Sequence, residues 1–252
     1  MNSELFPMIF KRKSFHLFRN VGEDKISEAE LKDIEDAFPK FEALYPDIKT
    51  AIRIVKPGAV SFKRDAEYCI LIYSEKKDNY LMNAGFIGQQ LDLYLVSKNI
   101  GSLWFGIGKP DEKTHEGLDF VIMIAIRKVK DDSLFRKDMY KAKRKPLEEQ
   151  WSGDDLGIAD IARFSPSACN TQPWFVENSG DKLTVYRYKK DGKRGIMPAA
   201  VTDYYNRIDI GIYLCILEIC MAEKKISAER KLYIDKLEEN REFTRVAEYL
   251  FA

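Results

Sequence analysis

The most distinctive segment of this sequence is a run of small and amide residues at positions 165–174, Ser-Pro-Ser-Ala-Cys-Asn-Thr-Gln-Pro-Trp. Small side chains leave the backbone accessible, and Asn170 and Gln172 offer amide hydrogen bonds, so the segment suits a flat heterocyclic ligand. Ser/Pro/Asn-rich loops between a helix and a strand are also common without a ligand. The spacing alone favours this simpler interpretation.

Two basic segments have the charge that a phosphate ligand requires. Lys11, Arg12, Lys13 and Ser14 supply cations and a hydroxyl within four residues, and Arg144 lies in a second basic run. Such groups can surround a phosphate with charge-assisted hydrogen bonds. A solvated basic arm and a charged linker are the alternative interpretations.

A fourth segment, Trp-Phe-Gly-Ile-Gly-Lys-Pro at 104–110, holds Gly106 and Gly108 beside aromatic residues. Glycines allow the backbone to approach a ligand ring closely, although a plain turn explains them equally well. The segment is too short for a dinucleotide-binding fingerprint.

The overall composition excludes several kinds of site and partner. The 252 residues include two His and four Cys, without the CxxC or HxxxH spacing of a zinc site. The net charge of +1 argues against a nucleic-acid binder. The apolar run at 120–126 is far shorter than the roughly 18 residues of a membrane span. We therefore expect a cytoplasmic globular protein with no metal, no nucleic-acid partner and no membrane segment, whose chemistry comes from a bound cofactor.

Hydrophobic periodicity predicts the elements that carry these segments, and together they indicate an α+β fold. Ser27 and Glu30 have the spacing of a capping box at the start of a helix that Pro39 ends. The expected strands are 50–56, 67–73, 118–127 as a buried central strand, and 183–188. The expected helices are 79–99 with a stop at Gly101, 156–163, 208–224, and a charged helical segment at 230–252.

Several residues recur at an offset of about half the chain. Asp33, Ile34 and Pro39 recur 127 positions later, and Gly85 recurs 126 positions later as Gly211. The collinear order of these matches favours an internal duplication. We therefore expect a single domain over 1–252 made of two related halves, about 1–145 and 146–252.

Taken together and in this order, the four segments resemble the FMN-dependent nitroreductase family. Positions 12–16 (Arg-Lys-Ser-Phe-His) resemble the family segment that holds the FMN phosphate and the pyrimidine edge of the flavin. Positions 166–174 resemble its Pro-Ser-x-x-Asn-x-Gln-Pro-Trp loop, which packs against the isoalloxazine ring. The resemblance covers roughly residues 10–225 and implies a nitroreductase-like fold with antiparallel or mixed central sheets flanked by helices. The cofactor-binding residues that it implies are Arg12, Lys13, Ser14, His16, Gly106, Gly108, Arg144, Pro166, Ser167, Ala168, Asn170 and Gln172.

The sequence departs from the family in where its two motifs lie. Ordinary members carry both motifs in each subunit of a homodimer, whereas here the basic segment occurs only in the first half and the Pro-Ser loop only in the second. This pattern resembles a single-chain branch in which one monomer acts as a pseudo-dimer. It predicts one FMN site built from both halves, with the other pseudo-symmetric site empty.

The resemblance implies an oxidoreductase in which NADH or NADPH reduces FMN, and the flavin N5 passes hydride or electrons to a small electron-poor substrate. Nitroaromatics, quinones and enones fit equally well, and no side chain is assigned as catalytic acid or base. The alternative is an FMN-binding or flavin-handling protein without turnover. Cys169 needs no role in either case.

We predict that His16→Phe lowers the midpoint potential of bound FMN. The family often has Arg or Lys at this position near flavin N1 and O2, and a cation there stabilises the negative charge of the reduced flavin. His16 can do the same only while protonated, so the potential should also depend on pH near the histidine pKa. A histidine that merely packs behind the ligand is the alternative interpretation. A spectroscopic potential titration of both proteins between about pH 6 and 8 checks this, and an unchanged potential contradicts it.

Overall fold

The computed structural model of the chain describes residues 3–61, 64–189, 196–236 and 242–251. Within these ranges the α-helices are α1 (Phe6–Lys11), α2 (Glu28–Ala37), α3 (Tyr80–Ser97), α4 (Ala159–Ala162) and α5 (Ala199–Glu223). The strands are β1 (Thr50–Val55), β2 (Tyr68–Ser74), β3 (Ile100–Phe105), β4 (Thr114–His115), β5 (Leu118–Lys128), β6 (Trp151–Ser152), β7 (Trp174–Asn178), β8 (Lys182–Tyr188), β9 (Ala228–Leu232) and β10 (Phe243–Phe251).

The first sheet has the antiparallel order β1-β2-β5-β3, with the short β4 paired to β5. Strand β5 pairs with β2 on one side and with β3 on the other, so that Ile124 lies between Ile70 and Trp104. Its middle residues are buried, as expected for a central strand covered on both faces. The prediction of a buried central strand at 118–127 is therefore confirmed.

The second sheet has the order β6-β7-β8-β10-β9, in which only the short β6–β7 pair is parallel among the described strands. The expectation that 230–252 is helical is wrong, because this segment supplies much of β9 and all of β10. Its charged residues pair with side chains on neighbouring strands instead. Glu248 is buried and accepts from Lys182 at 3.2 Å, sixty-six positions earlier in the chain. Pairing with this distant strand outweighs the local helical preference of a charged segment.

The two long helices pack against each other between the sheets. An ideal Cβ on Gly85 of α3 would lie 2.1 Å from the carbonyl oxygen of Ile208, and one on Gly211 of α5 would lie 1.9 Å from that of Met82. Each glycine therefore allows one backbone to touch the other, and the two contacts are reciprocal. The helix expected at 208–224 begins nine residues earlier than predicted, at Ala199.

The other predicted helices differ from the observed ones in where they begin or end. The capping box of Ser27 and Glu30 is present at the start of α2. Helix α3 ends at Ser97, and Asn99 rather than Gly101 takes the left-handed conformation after it, with φ 54°. Gly101 lies inside β3. Helix α4 is a single turn within the predicted 156–163.

The two halves of the chain repeat one connectivity. Strands β1 and β2, helix α3, and strands β3 and β5 follow each other as do β7 and β8, helix α5, and strands β9 and β10. In both sheets the last strand of this series lies between the second and the third. Across the described residues, every helix is too short or too polar to cross a bilayer.

We expect Gly85→Ala to lower the free energy of unfolding by about 1–3 kcal/mol, because its Cβ can be accommodated only if α3 and α5 move apart. Urea denaturation followed by circular dichroism measures the change. Gly58→Ala is the control, since no atom lies within 4 Å of a Cβ at Gly58. Equal stability of the two variants would contradict a close helix contact.

Candidate functional site

A cavity of about 490 Å³ lies between the two halves, beside the N-terminal part of α5. Its volume falls within the roughly 300–1,000 Å³ of small-molecule sites. One wall comes from the segment after α1 and from the end of β3. The opposite wall comes from the loop before β7 and from α5, which contributes Val201, Tyr205, Ile208, Asp209 and Ile212. Residues far apart in sequence thus meet at one site.

Seven of the twelve sequence-predicted residues line this cavity. They are Arg12, Ser14, His16, Gly106, Pro166, Ser167 and Ala168. The two motifs that lie in different halves of the chain therefore face a common space. The predicted residues outside its lining are Lys13, Gly108, Arg144, Asn170 and Gln172.

Arg12 is held by a buried carboxylate on α3. Its Nε donates to Asp92 Oδ2 at 2.8 Å, and Asp92 also accepts from the Ser102 hydroxyl and, at 3.0 Å, from Trp104 Nε1. Asp92 is fully buried, and Arg12 is 5% exposed. The Nη2 atom of Arg12 has no hydrogen-bond partner among the described residues. A buried donor of this kind is costly unless a ligand satisfies it.

Other cations surround Arg12. Burial lowers the pKa of Arg136 to about 10, and the charge of Arg12 contributes to this shift. Burial likewise lowers the pKa of Arg144 to about 10, with further contributions from Arg136, Arg12 and Arg163. The pKa of Lys13 is lowered by burial and by Arg136. We call Arg12, Lys13, Arg136 and Arg144 the cationic cluster.

The cationic cluster has the electrostatics of an anion site. The charges of Arg12 and Arg136 contribute to the lowered pKa values of other members, and within the cluster only Arg12 forms an ion pair with an acidic residue in the described part of the chain. Bound phosphate would offset this mutual repulsion. The sequence did not identify Arg136 as a site residue, although it lies in the same segment between β5 and β6 as Arg144.

Asn170 and Gln172 shape the loop before β7. Asn170 Oδ1 accepts from Arg144 Nη1 at 3.1 Å, and Gln172 Oε1 accepts from the backbone N–H of Lys145 at 2.8 Å. The backbone N–H of Gln172 donates to Ser167 Oγ at 3.0 Å. The left-handed φ of 55° at Asn170 and 49° at Gln172 is maintained by these contacts. The two amides therefore join the loop to the segment that carries Arg144.

Gly106 and Gly108 differ in their surroundings. The carbonyl oxygen of Gly106 accepts a hydrogen bond from the Tyr205 hydroxyl, and a Cβ on Gly106 would lie 2.6 Å from the Tyr205 ring. A Cβ on Gly108 would lie 2.0 Å from Met123 Cε. Gly106 therefore lets the backbone approach α5 at the cavity, whereas Gly108 packs against β5.

His16 lies on the cavity wall next to other cations. Burial lowers its pKa, and the charges of Arg64 and Arg12 lower it further. In the protein without ligand, His16 therefore holds its proton less readily than a free histidine does. Arg64, which sequence reasoning missed, also lines the cavity and donates to the His16 carbonyl oxygen at 3.5 Å.

Asp209 of α5 is a buried acid in the cavity lining. Its Oδ1 accepts from the backbone N–H of Ala168 at 2.9 Å, and Thr171 Oγ1 lies 3.4 Å from its Oδ2. Burial raises its pKa to about 8, although both hydrogen bonds act in the opposite direction. An acidic residue within an apolar helix run was the signal in the sequence, and the sequence interpretation did not use it.

A second buried polar network joins α5 to β8 and to the segment after β9. Asp235 accepts from Arg187 Nη2 at 2.9 Å and from Arg207 Nη2 at 3.0 Å. Asn79 donates to the carbonyl oxygen of Tyr233 at 2.8 Å and accepts from the Asp235 N–H at 2.9 Å. In the described residues, no cluster of three or more His, Cys, Asp or Glu could hold a metal ion.

We expect Asp92→Ala to lower the free energy of unfolding by about 3–5 kcal/mol, because it leaves the Arg12 guanidinium buried without its counter-charge. Urea denaturation measures this loss. Asp36→Ala is the matched control, since it breaks an exposed ion pair with Lys32 in α2, and such pairs contribute little to stability. Similar losses in both variants would show that Asp92 does not hold Arg12 in solution.

Comparison with known proteins identifies the family. A family model described as "Putative TM nitroreductase" matches residues 4–221. A crystal structure of a nitroreductase from Thermotoga maritima covers 100% of this chain and 94% of its own, at 20% identity and a TM-score of 0.61. A nitroreductase family protein from Clostridium difficile covers 59% of this chain and 96% of its own, at 15% identity and a TM-score of 0.45.

A nitroreductase from Desulfovibrio desulfuricans, solved in complex with FMN, covers 59% of this chain and 95% of its own, at 14% identity and a TM-score of 0.43. No curated protein matches the chain. The family match spans nearly the whole chain and includes the segments on which the resemblance was based. The chain has a nitroreductase-like fold and belongs to this nitroreductase family.

Proposed function

We propose that this protein is an FMN-dependent oxidoreductase of nitroreductase type, which uses NADH or NADPH to reduce a small electron-poor molecule. One observation carries the proposal: residues of both family motifs line one cavity, and Arg12 in its wall has a buried Nη2 without a partner among the described residues and lies next to further cations. An organic phosphate with a flat ring matches this combination. The cofactor, the nicotinamide reductant and the enzymatic activity are parts of the proposal.

The cationic cluster would hold the FMN phosphate. Arg12 is fixed by the bond from its Nε to Asp92, which leaves its Nη2 without a partner among the described residues, and Arg144 is fixed against the loop by Asn170. Ser14 adds a hydroxyl in the cavity lining. Arg136, which the family resemblance did not include, is added here to the proposed phosphate-binding residues. Pre-positioned guanidinium groups suit a phosphate because they lose little conformational freedom on binding.

The walls next to the cluster would hold the flavin ring. Pro166, Ser167 and Ala168 present small side chains on one side, and Trp104 and Gly106 lie on the other. When bound, FMN supplies hydride transfer through its N5 atom, and the protein supplies binding, orientation and electrostatics. The acceptor belongs to the same broad class of nitroaromatics, quinones and enones that the family resemblance implies.

Reciprocal contacts support the internal pseudo-dimer. Gly85 of α3 contacts a backbone carbonyl of α5, and Gly211 of α5 contacts a backbone carbonyl of α3, as a two-fold relation between the halves requires. Tyr205 donates to the carbonyl of Gly106, and Asn79, 126 positions before Tyr205, donates to a carbonyl at the corresponding end of β9. We propose that the chain acts as a cytoplasmic monomer in which these halves replace two subunits.

One flavin per chain follows from the distribution of the two motifs. The basic segment occurs only in the first half of the chain and the Pro-Ser loop only in the second. Because one cavity is lined by both, we propose that it is the flavin site and that the other pseudo-symmetric position binds no flavin.

Titration of FMN into the flavin-free protein, followed by fluorescence quenching, tests cofactor binding. We expect one FMN per chain, and at least a roughly tenfold higher Kd for Arg136→Gln and Arg144→Gln, since a hydrogen bond to a charged group contributes about 1.5–3 kcal/mol. Arg19→Gln, an exposed change of the same kind, is the control. A colourless protein that takes up no FMN would contradict the proposal.

Anaerobic addition of NADPH or NADH to the FMN complex tests turnover. Bleaching of the flavin absorbance, followed by its recovery on adding a quinone or nitroaromatic acceptor, is the expected result. Stable binding without bleaching by either nucleotide would instead favour a flavin-binding protein without reductase activity.

A further inference from the structure

Asp209 is a buried carboxyl group in the cavity wall that the proposed binding of FMN leaves without a role. It lies on α5 between Ile208 and Ile212, which also line the cavity, and it is 3% exposed. Among the described residues it forms no ion pair, unlike Asp92 on α3. A buried carboxylate without a cation is unstable, and such a group retains its proton instead.

The hydrogen bonds of Asp209 fit the protonated form. Its Oδ1 accepts from the Ala168 N–H, while Thr171 Oγ1 lies 3.4 Å from its Oδ2 and 3.1 Å from Asn206 Oδ1. The single hydroxyl hydrogen of Thr171 can serve one of these two oxygens. A proton on Asp209 Oδ2 that points to Thr171 would let Thr171 donate to Asn206, so each contact would have one hydrogen.

The charged and titratable groups on neighbouring elements leave this proton in place. Those facing the cavity or packed near Asp209 are Arg12, His16, Arg64, Asp92, Lys109, Cys169, Tyr205 and Tyr213. None of them is among the causes that shift the pKa of Asp209, which are burial, the Ala168 N–H and Thr171. The shift to about 8 therefore keeps the group mainly neutral at pH 7.

We propose that Asp209 is the acid that carries the second proton of the reduction in this cavity. This inference rests on the proposed function. A two-electron acceptor gains a hydride, which brings two electrons and one proton, and then needs one further proton. In this step the Asp209 O–H turns from Thr171 to the acceptor, its O–H bond breaks to give that proton to the acceptor atom that becomes negative, and solvent reprotonates the carboxylate.

A carboxyl group, rather than an amide, is needed for this role. Asn83 of α3, 126 positions earlier, is fully buried and accepts the backbone N–H of Tyr45 at 3.0 Å, much as Asp209 accepts that of Ala168. An amide thus holds a loop at the corresponding place on the other helix. What Asp209 adds is a proton that can leave and return. It also follows that Asp209→Asn is compatible with the fold.

The test compares wild type with Asp209→Asn, both loaded with FMN, by potentiometric titration at several pH values from about 6 to 9.5. Negative charge gained in the cavity on reduction raises the pKa of a neighbouring carboxyl, so wild type should take up a proton at Asp209 from about pH 8 upward. We expect up to one more proton per two electrons in wild type than in Asp209→Asn above pH 8, and no difference near pH 6. Glu223→Gln, an exposed charge change on the same helix, should behave as wild type.

Steady-state kinetics give a second measurement. With a quinone acceptor, kcat of wild type should fall above about pH 8, whereas Asp209→Asn should have a kcat lower by roughly 10²-fold and independent of pH in this range. Its KM for the acceptor should change less than its kcat. Equal proton uptake and equal pH profiles in the two proteins would overturn the role of Asp209 while leaving FMN binding intact.

Infrared spectroscopy covers the case in which the variant does not hold FMN. The reduced-minus-oxidised difference spectrum of the wild-type FMN complex, with 13C-labelled aspartate, should show a protonated aspartic acid gained on reduction above pH 8. The absence of any aspartate signal would overturn the proposal. If wild type itself binds no FMN, the proposed function fails together with this inference.

Discussion

The contact between α3 and α5 is the constraint on which the rest of the structure depends. Two helices can touch backbone to backbone only where one of them lacks a side chain at the contact, and Gly85 and Gly211 provide two such places. The contact fixes the two sheets relative to each other and brings the N-terminal part of α5 beside the end of β3. The cavity is the space that remains between these elements, so its shape follows from the helix contact.

Electrostatic asymmetry gives the cavity its chemical character. Asp92 neutralises and orients Arg12, yet the cationic cluster as a whole keeps an excess of buried positive charge. Asp209 is the reverse case, because its carboxyl group is buried and forms no ion pair with a cation among the described residues. Both arrangements reduce the stability of the protein without ligand. Such costs are typical of functional sites, where a ligand or a moving proton provides the missing charge.

A second buried polar network lies between α5 and the second sheet. Asp235, in the segment after β9, forms ion pairs with Arg187 of β8 and with Arg207 of α5. Arg207 Nη2 also donates to the carbonyl oxygen of Lys236, and Asn79 at the start of α3 accepts from the Asp235 N–H. Because these groups bond across elements that are far apart in sequence, the network holds α5 against β8 and the segment after β9.

The sequence alone was sufficient for the family, the α+β class, the central strand β5 and both motifs that face the cavity, because local patterns and a specific loop motif encode them. It did not reveal β10, since that strand depends on pairing with β8 across the chain. Nor did it reveal the positions of Arg136, Arg64 and Asp209 at the site. Their places at the site, and the shifted pKa values of Arg136 and Asp209, depend on burial and on neighbours that only the folded chain brings together, and no local pattern records those distances.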